Sequence, residues 1–450
     1  MIDSVLTPPA ARYIDRQAAI IDALSPDGIV AHIERLVDVQ DRWRGSASLN
    51  LNPAEGLISR RARALLDSDL ATRLTEGIPG DKIYPHGPLN EHVDAIEATV
   101  ISLARRLFGA AHVEWRPVSN SMANMAIFAA LLEPGDRILA QDEDGGGNFS
   151  YHRSGVAGVL RLDPIVLPIA STCFEIDLAA AERLMAAHRP KLIVIGGGKV
   201  LFPYPVHALR ALADRFGALL VYDAAHLGLH ISAGDFQRPL EEGAHVVTLS
   251  THKVMGGPVG GLILTNDAEI ARRVVRICFP GLLQTRDLNK YAALAVSLSE
   301  TLAFGAALSR AMVANAQALG RALSARGFDV IGADRGISRT HQLFLRFGDA
   351  EAAGRFERAC HAANIFLSDC ALPGDMALGR RCGARVATHE VTRLGMVPDD
   401  MEQVADLIAQ ASRADDGTAL RDAVAGLRAR FPAIGYSFDT QSAPVAVRAL

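Results

Sequence analysis

From about residue 90 to residue 265 the chain alternates between two rhythms. In EHVDAIEATVISLARRLFG the apolar residues Val93, Ile96, Val100, Leu103 and Leu107 recur every three or four positions, one stripe of a helix that Gly109 stops. SMANMAIFAALLEPGD predicts a second helix, ended by Pro134-Gly135, and VHALRALADRFG a third. Between and after them come short apolar runs of strand length: RILAQ (137–141), KLIVIGG (191–197), ALLVYD (218–223), HVVTLS (245–250) and GLILT (261–265). Strands apolar throughout are buried on both faces, and their alternation with helices predicts a mostly parallel α/β sheet. In such sheets ligands bind at the carboxyl ends of the strands. Asp223 and Lys253 fall at such ends.

The rhythm changes at residue 287. A proline-free, alanine-rich stretch runs to about 326 and predicts one long helix, with Gly305 as an expected kink. After it FDVIG, HQLFLRF and GARVAT read as strands, and AEAAGRFERACHAAN and PDDMEQVADLIAQA as helices. The expected organisation is an N-terminal helical segment (1–50), a large domain (51–290) and a smaller C-terminal α+β domain (291–450).

Composition narrows the partners. The 450 residues are 49% hydrophobic, enough for a large core, and carry a formal charge of −4. That balance offers no basic footprint for nucleic acid, which leaves small molecules as the expected partners. The five cysteines form no CxxC pair and their odd number argues against a disulfide framework; no metal is expected. The N-terminus has no basic start followed by an apolar core, and no segment runs eighteen residues without a charge, so the expectation is a soluble, cytoplasmic protein with no membrane partner.

Lysine is scarce, occurring only at 82, 191, 199, 253 and 290 among the 46 basic residues. Lys253 stands in STHKVMGGPVGG, after a strand and before a glycine-rich turn. A desolvated amine there can condense with an aldehyde cofactor and later act as a base. If that aldehyde is pyridoxal phosphate, its ring nitrogen needs an acid partner and its phosphate a helix N-terminus. Asp223, at the end of ALLVYD, supplies the first. Ser119-Asn120-Ser121, opening the MANMAIFAALL helix, supplies the second. His226 and His252 flank the expected ring position, with Ser250 closing the strand.

These stretches together resemble the serine hydroxymethyltransferase family, pyridoxal phosphate enzymes of fold type I. VYDAAHLGLHISAG followed by HVVTLSTHKVMGGPVGG resembles the family's Asp-x-x-His and Thr-His-Lys motifs. TEGIPGDKIYPHG, PVSNSMAN and GARVATHEVTRLGM match further motifs, so the resemblance covers roughly residues 50–400. It implies a large domain with a mostly parallel seven-stranded sheet and a small C-terminal α+β domain. It also implies that Lys253 forms the internal Schiff base, Asp223 pairs with the pyridinium nitrogen and His226 lies near the phenolic oxygen. Ser119, Asn120 and Ser121 would meet the phosphate, and Ser250 and His252 would line the cofactor. Arg385 would grip the substrate carboxylate, Glu76 would act as the catalytic glutamate, and Tyr84 would stand beside it. Arg393 is expected to be structural, and His341 a satisfied polar group. Two subunits, as a homodimer or a dimer of dimers, are implied around each site.

Departures from the family pattern narrow the activity. Where the family stacks a histidine on the ring, DGGGNFSYH offers Gly147 or Asn148, with His152 four residues on. Ala54 and Leu74 replace a serine and a tyrosine, Val259 an arginine, and FPGLLQTRDLNK lacks the Gly-Gly-Pro of the family. The folate-side asparagines are missing around SDCALPGD. The expected reaction therefore makes or breaks the Cα–Cβ bond of a β-hydroxy amino acid through a glycine quinonoid, without efficient use of tetrahydrofolate. Alternatives are transfer of the glycine unit to another aldehyde, as in L-threonine transaldolases, an α-methylserine-type hydroxymethyltransferase, an aminotransferase, or a cofactor-binding protein without turnover.

Overall fold

The computed structural model describes residues 6–414 and 416–440. Two proline-started helices, α1 (Pro8–Asp22) and α2 (Pro26–Arg42), lead the chain and bury none of their residues. A short strand, Leu49–Asn50, then pairs with Ile365–Phe366 far along the chain.

The central sheet has seven strands: β1 (His112–Glu114), β2 (Arg137–Ala140), β3 (Asp163–Val166), β4 (Leu192–Gly196), β5 (Leu219–Asp223), β6 (Val246–Ser250) and β7 (Gly261–Thr265). Their order is β1-β7-β6-β5-β4-β2-β3, and only β7 runs antiparallel to its neighbours. The helices around it include α3 (Pro88–Phe108), α4 (Asn120–Leu131), α5 (Leu178–His188), α6 (Val206–Phe216) and α7 (Gly228–Ala233). Along β4 the pleat sends alternate side chains to opposite faces. Ile193 and Ile195 join a core that includes α3, α5 and α6, while Leu192 and Val194 join the core under α4. Covering both faces is what made these strands read as unbroken apolar runs.

Gly109 ends α3 in the left-handed conformation, as its position in the sequence predicts. The stretch from 287 forms α8 (Leu288–Ala325), 38 residues without an interruption at Gly305. The expected kink is absent because Gly305 is a contact point: a Cβ there would come within 3.4 Å of Leu229 on α7. By length and composition this helix could cross a membrane, but its apolar residues are used in packing, with Leu294 and Leu298 in the core beside the sheet and Leu319 and Leu323 in the C-terminal core.

The C-terminal core surrounds a second sheet of four strands, β8 (Asp329–Val330), β9 (Gln342–Arg346), β10 (Ser368–Cys370) and β11 (Gly383–Ala387), in the order β8-β9-β11-β10 and antiparallel throughout. Helices α9 (Ala350–Ala362) and α10 (Asp400–Arg413) cover it. Leu49 and Leu51 also pack in this core, so the chain crosses it before building the larger sheet.

Candidate active site

The carboxyl ends of β4, β5 and β6 meet where the sequence places the chemistry. Gly196 and Asp223 close β4 and β5 side by side, and a Cβ on Gly196 would strike the Asp223 carbonyl at 2.3 Å. Glycine is required at this crossing because the strand also turns there with φ +88°.

Asp223 is fully buried and accepts from every side. Asn120 Nδ2 lies 3.0 Å from both carboxylate oxygens, Asn124 Nδ2 donates to Oδ2 at 2.9 Å, and the Ala225 amide donates to Oδ1 at 2.8 Å. Tyr151 adds its hydroxyl to Oδ2. Burial, reinforced by the carboxylate, pushes the Tyr151 phenol well above its ordinary range, so it stays a donor. Asn120, grouped by sequence with the phosphate-binding serines, therefore orients its side chain to Asp223. Ser119 caps α4 by accepting from the Met122 amide, and Ser121 is exposed at the same helix end. The chain entering α4 lies against the start of β7, where only a glycine fits: a Cβ on Gly261 would meet the Ser119 carbonyl at 2.6 Å.

Lys253 occupies a tight turn after β6. Gly256 donates back to the Lys253 carbonyl at 2.9 Å with φ +61°, and a Cβ at Gly256 would collide with Arg393 Nη1. Arg393 is itself paired with Glu300 of α8 at 2.6 Å, so its structural role is to brace the lysine turn. Lys253 Nζ lies 3.1 Å from His226 Nε2. Burial lowers the Lys253 amine to about 8; Asp223 opposes this shift and Arg385 adds to it. Burial also drives His226 well below its usual range, helped by Lys253, Arg385 and neighbouring histidines, so its ring is neutral. His252 is lowered to about 4, chiefly by burial.

Arg385, on β11, reaches across from the smaller sheet. Its Nη1 donates to the Gly198 carbonyl at 3.2 Å and its Nε to Ser368 Oγ at 3.4 Å. Nη2 makes no hydrogen bond with a described residue, leaving one edge of the fork for a ligand. Among the described residues, His226 Nδ1, His252 Nδ1 and Ser250 Oγ are buried without a partner. Such atoms are costly unless something polar completes them.

Of the other expected site residues, Gly147 and Asn148 border the cluster, against Gly197 and Gly198, and Ser150 links Asn148 to Asn124 of the Asp223 cradle at 3.0 Å. Asn148 turns its oxygen to Ser150, accepting from the amide at 2.9 Å and the hydroxyl at 2.8 Å. His152 sits 2.9 Å from Asp142 Oδ1, which commits that face of its ring to the loop. Glu76 is half-buried on the hairpin Gly77–Lys82, and Tyr84 is 51% exposed. Neither side chain hydrogen-bonds to the Lys253 cluster among the described residues.

The structure adds residues that motif reading passed over. Asn124 and Tyr151 complete the Asp223 cradle. Behind His226 lies a row of rings: His341 stacks on it at 6.4 Å between centroids and 19°. His341 Nδ1 is 3.0 Å from His230 Nε2, and His230 Nδ1 is 2.8 Å from Ser309 Oγ on α8. His341 is thus only half satisfied, its Nε2 being buried without a partner. The spacing His226-x-x-x-His230 was the available signal.

Pyridoxal phosphate fits this donor set. A carboxylate held by side-chain and backbone donors, an amine lowered to about 8, a serine-capped helix start and unpaired buried polar atoms surround one place. Among the described residues no cluster of histidine, cysteine, aspartate or glutamate could hold a metal ion.

Comparison with known proteins agrees. The family model for Serine hydroxymethyltransferase matches residues 31–408. An alpha-methylserine aldolase from Variovorax paradoxus is 40% identical over 407 residues, covering 89% of this chain and 90% of that protein. A serine hydroxymethyltransferase from Korarchaeum cryptofilum is 35% identical, covering 88% and 94%. The crystal structure of L-threonine transaldolase from Pseudomonas fluorescens superposes with a TM-score of 0.85 at 26% identity, over 95% of this chain and 96% of that one. With its ordered motifs, its seven-stranded sheet and its lysine–aspartate–arginine site, the chain belongs to the serine hydroxymethyltransferase family of pyridoxal phosphate-dependent enzymes.

Proposed function

We propose that this enzyme makes and breaks the Cα–Cβ bond of a β-hydroxy amino acid without efficient use of tetrahydrofolate. The observation that carries the reading is the convergence of Lys253, His226 and Arg385 from both sheets beside the cradled Asp223.

Lys253 would hold the aldehyde cofactor through its amine, Asp223 its ring nitrogen, and Ser119 and Ser121 its phosphate. When bound, the cofactor supplies an electron sink for the pair released at Cα. The chain's own groups do the rest. Arg385 clamps the α-carboxylate with the free edge of its guanidinium, which orients the scissile bond. His226 stays neutral beside the lysine, so it can accept or donate a hydrogen bond there without bringing a charge. Glu76, whose hairpin stands away from the Lys253 cluster of its own chain, would reach the site from a second copy of the chain, take the proton of the β-hydroxyl as the aldehyde leaves and return it in the reverse direction. Tyr84, exposed eight residues further on, would accompany it.

Reduced folate use rests on Ser368 and Cys370, where the family's asparagines are absent, and on the changed segment after Phe279-Pro280-Gly281. A pteridine loses polar contacts there, and each unpaired polar group costs about 1–3 kcal/mol. The relatives acting as α-methylserine aldolases and a threonine transaldolase support a wider acceptor and donor range. The same reading includes a homodimer: α1 and α2 bury nothing within the chain, and Ile83 and Tyr84 are exposed on the Glu76 hairpin.

The test compares cleavage of serine with and without tetrahydrofolate, cleavage of α-methylserine, and threonine with an added aldehyde. Folate-independent turnover of α-methylserine or threonine is expected to exceed folate-dependent turnover of serine. Strong folate stimulation of serine cleavage would overturn the reading, and keto acid formation would point to an aminotransferase.

A further inference from the structure

The hairpin that carries Glu76 is held by a buried junction of charges. Gly77 pairs with Lys82 across the hairpin, and the Ile83 amide donates to the Glu76 carbonyl at 3.0 Å. Lys82 folds inward, placing Nζ 2.5 Å from Glu97 Oε2 and 3.1 Å from Asp94 Oδ1 on α3. The second oxygen of Glu97 receives Arg286 Nη2 at 2.8 Å, and that nitrogen also reaches the Gly77 carbonyl at 3.3 Å. Asp94 accepts from the Gly80 amide at 2.8 Å. The side chains of Lys82, Glu97 and Arg286 are 3%, 0% and 1% exposed.

The junction is built at a cost. Two cations and the Glu97 carboxylate are withdrawn from water, with Asp94 partly exposed at the rim, and such groups offset one another only when the geometry is good. What they gain is fixed position: the segment ahead of α8 holds the Gly77 carbonyl next to Glu76, and α3 holds the Lys82 side chain across the hairpin and the Gly80 amide at its tip. Lys82 belongs to the TEGIPGDKIYPHG motif, but Arg286 lies in the stretch FPGLLQTRDLNK, which departs from the family pattern, and Glu97 lies on α3, so their pairing was not legible in the motifs.

We propose that Lys82, Glu97 and Arg286 are positioning residues that act through Glu76, fixing the hairpin so that its carboxylate meets the substrate. The inference rests on Glu76 being the proton-transfer group of the proposed reaction.

The experiment uses the cofactor-loaded enzyme and whichever of threonine and α-methylserine it cleaves faster. Lys82→Met and Glu97→Gln are expected to lower kcat by roughly tenfold to a hundredfold, the range a small misplacement of a reacting group produces. KM and bound cofactor should stay within about threefold of wild type, and Lys82→Arg should restore part of the rate, since it keeps the charge but not the compact geometry of the ammonium. In a Glu76→Gln background, Lys82→Met should cause no further loss, because a residue acting through Glu76 has nothing left to position. If Lys82→Met does not fold, Glu97→Gln, which keeps volume and one acceptor, carries the same comparison. Wild-type rates in both clamp variants beside a slow Glu76→Gln would overturn the clamp alone, as would losses that multiply in the double variant. A wild-type rate in Glu76→Gln would instead overturn the role of Glu76, and the inference with it.

Discussion

Tyr151 donates its hydroxyl to Oδ2 of Asp223 across 2.5 Å, from a loop 72 residues earlier in the chain. With Asn120 and Asn124 it forms a cradle whose members come from separate elements, so Asp223 keeps its place when the cofactor is absent. Removing one donor from a buried carboxylate costs about 1.5–3 kcal/mol. Tyr151→Phe is expected to lower the thermal midpoint and to raise the cofactor dissociation constant by about tenfold or more. Calorimetry on the apo protein and a cofactor titration measure the two effects.

The lowered amine of Lys253 predicts how the apo protein takes up its cofactor. Only the neutral amine attacks an aldehyde, and an amine near pH 8 goes from roughly one-tenth neutral at pH 7 to nine-tenths at pH 9. Uptake of pyridoxal phosphate, followed by stopped-flow absorbance, should therefore rise about tenfold over that range and level off above it. A rate still climbing steeply past pH 9.5 would place the amine at its ordinary value. Lys253→Ala should abolish turnover.

Arg385 should control substrate affinity and little else. A charge-assisted fork on a carboxylate is worth on the order of 1.5–3 kcal/mol, so Arg385→Ala should weaken binding of glycine or serine by at least about tenfold. Arg385→Lys should recover only part of it, because a single ammonium cannot hold both carboxylate oxygens and the Gly198 carbonyl. Spectral titration with the amino acid measures this, and cofactor content should not change.

The buried histidines predict acid sensitivity. Burial lowers His230 to about 3 and His389 to about 4, and drives His341 well below its usual range. Their folded values lie below the unfolded value near 6.5, so as pH falls the unfolded chain binds protons first. Stability is therefore intact above about pH 6.5 and declines below it, by up to about 1.4 kcal/mol per pH unit for each ring. His230→Phe should lower stability at pH 7, since it strands His341 Nδ1, and should also flatten the decline between pH 6.5 and 4.5. Urea unfolding at several pH values separates the two effects.

The legible part of this protein was the part written in local pattern. The runs of β4, β5 and β6 are apolar because both faces are covered, and Lys253, Asp223 and His226 follow strand ends at fixed offsets. What stayed hidden depends on contacts between distant segments. Tyr151 meets Asp223 only because the loop after β2 folds under α4, and nothing in YHRSG signals it. Asn120 sits where a phosphate-binding residue belongs, yet its side chain points the other way because Asp223 lies within its reach. The Asn120-x-x-x-Asn124 spacing, one helical turn, was a readable hint. The Gly305 kink failed because glycine serves close packing as well as bending.

The 38 residues of α8 extend about 57 Å at helical rise, and its first turns are in one core while its last turns are in the other. Neither half of the molecule can then come apart without exposing part of a rod that the other half still needs. Amide exchange along α8 should accordingly be slow and nearly uniform from Leu294 to Leu323, and heating should melt the chain in a single cooperative step.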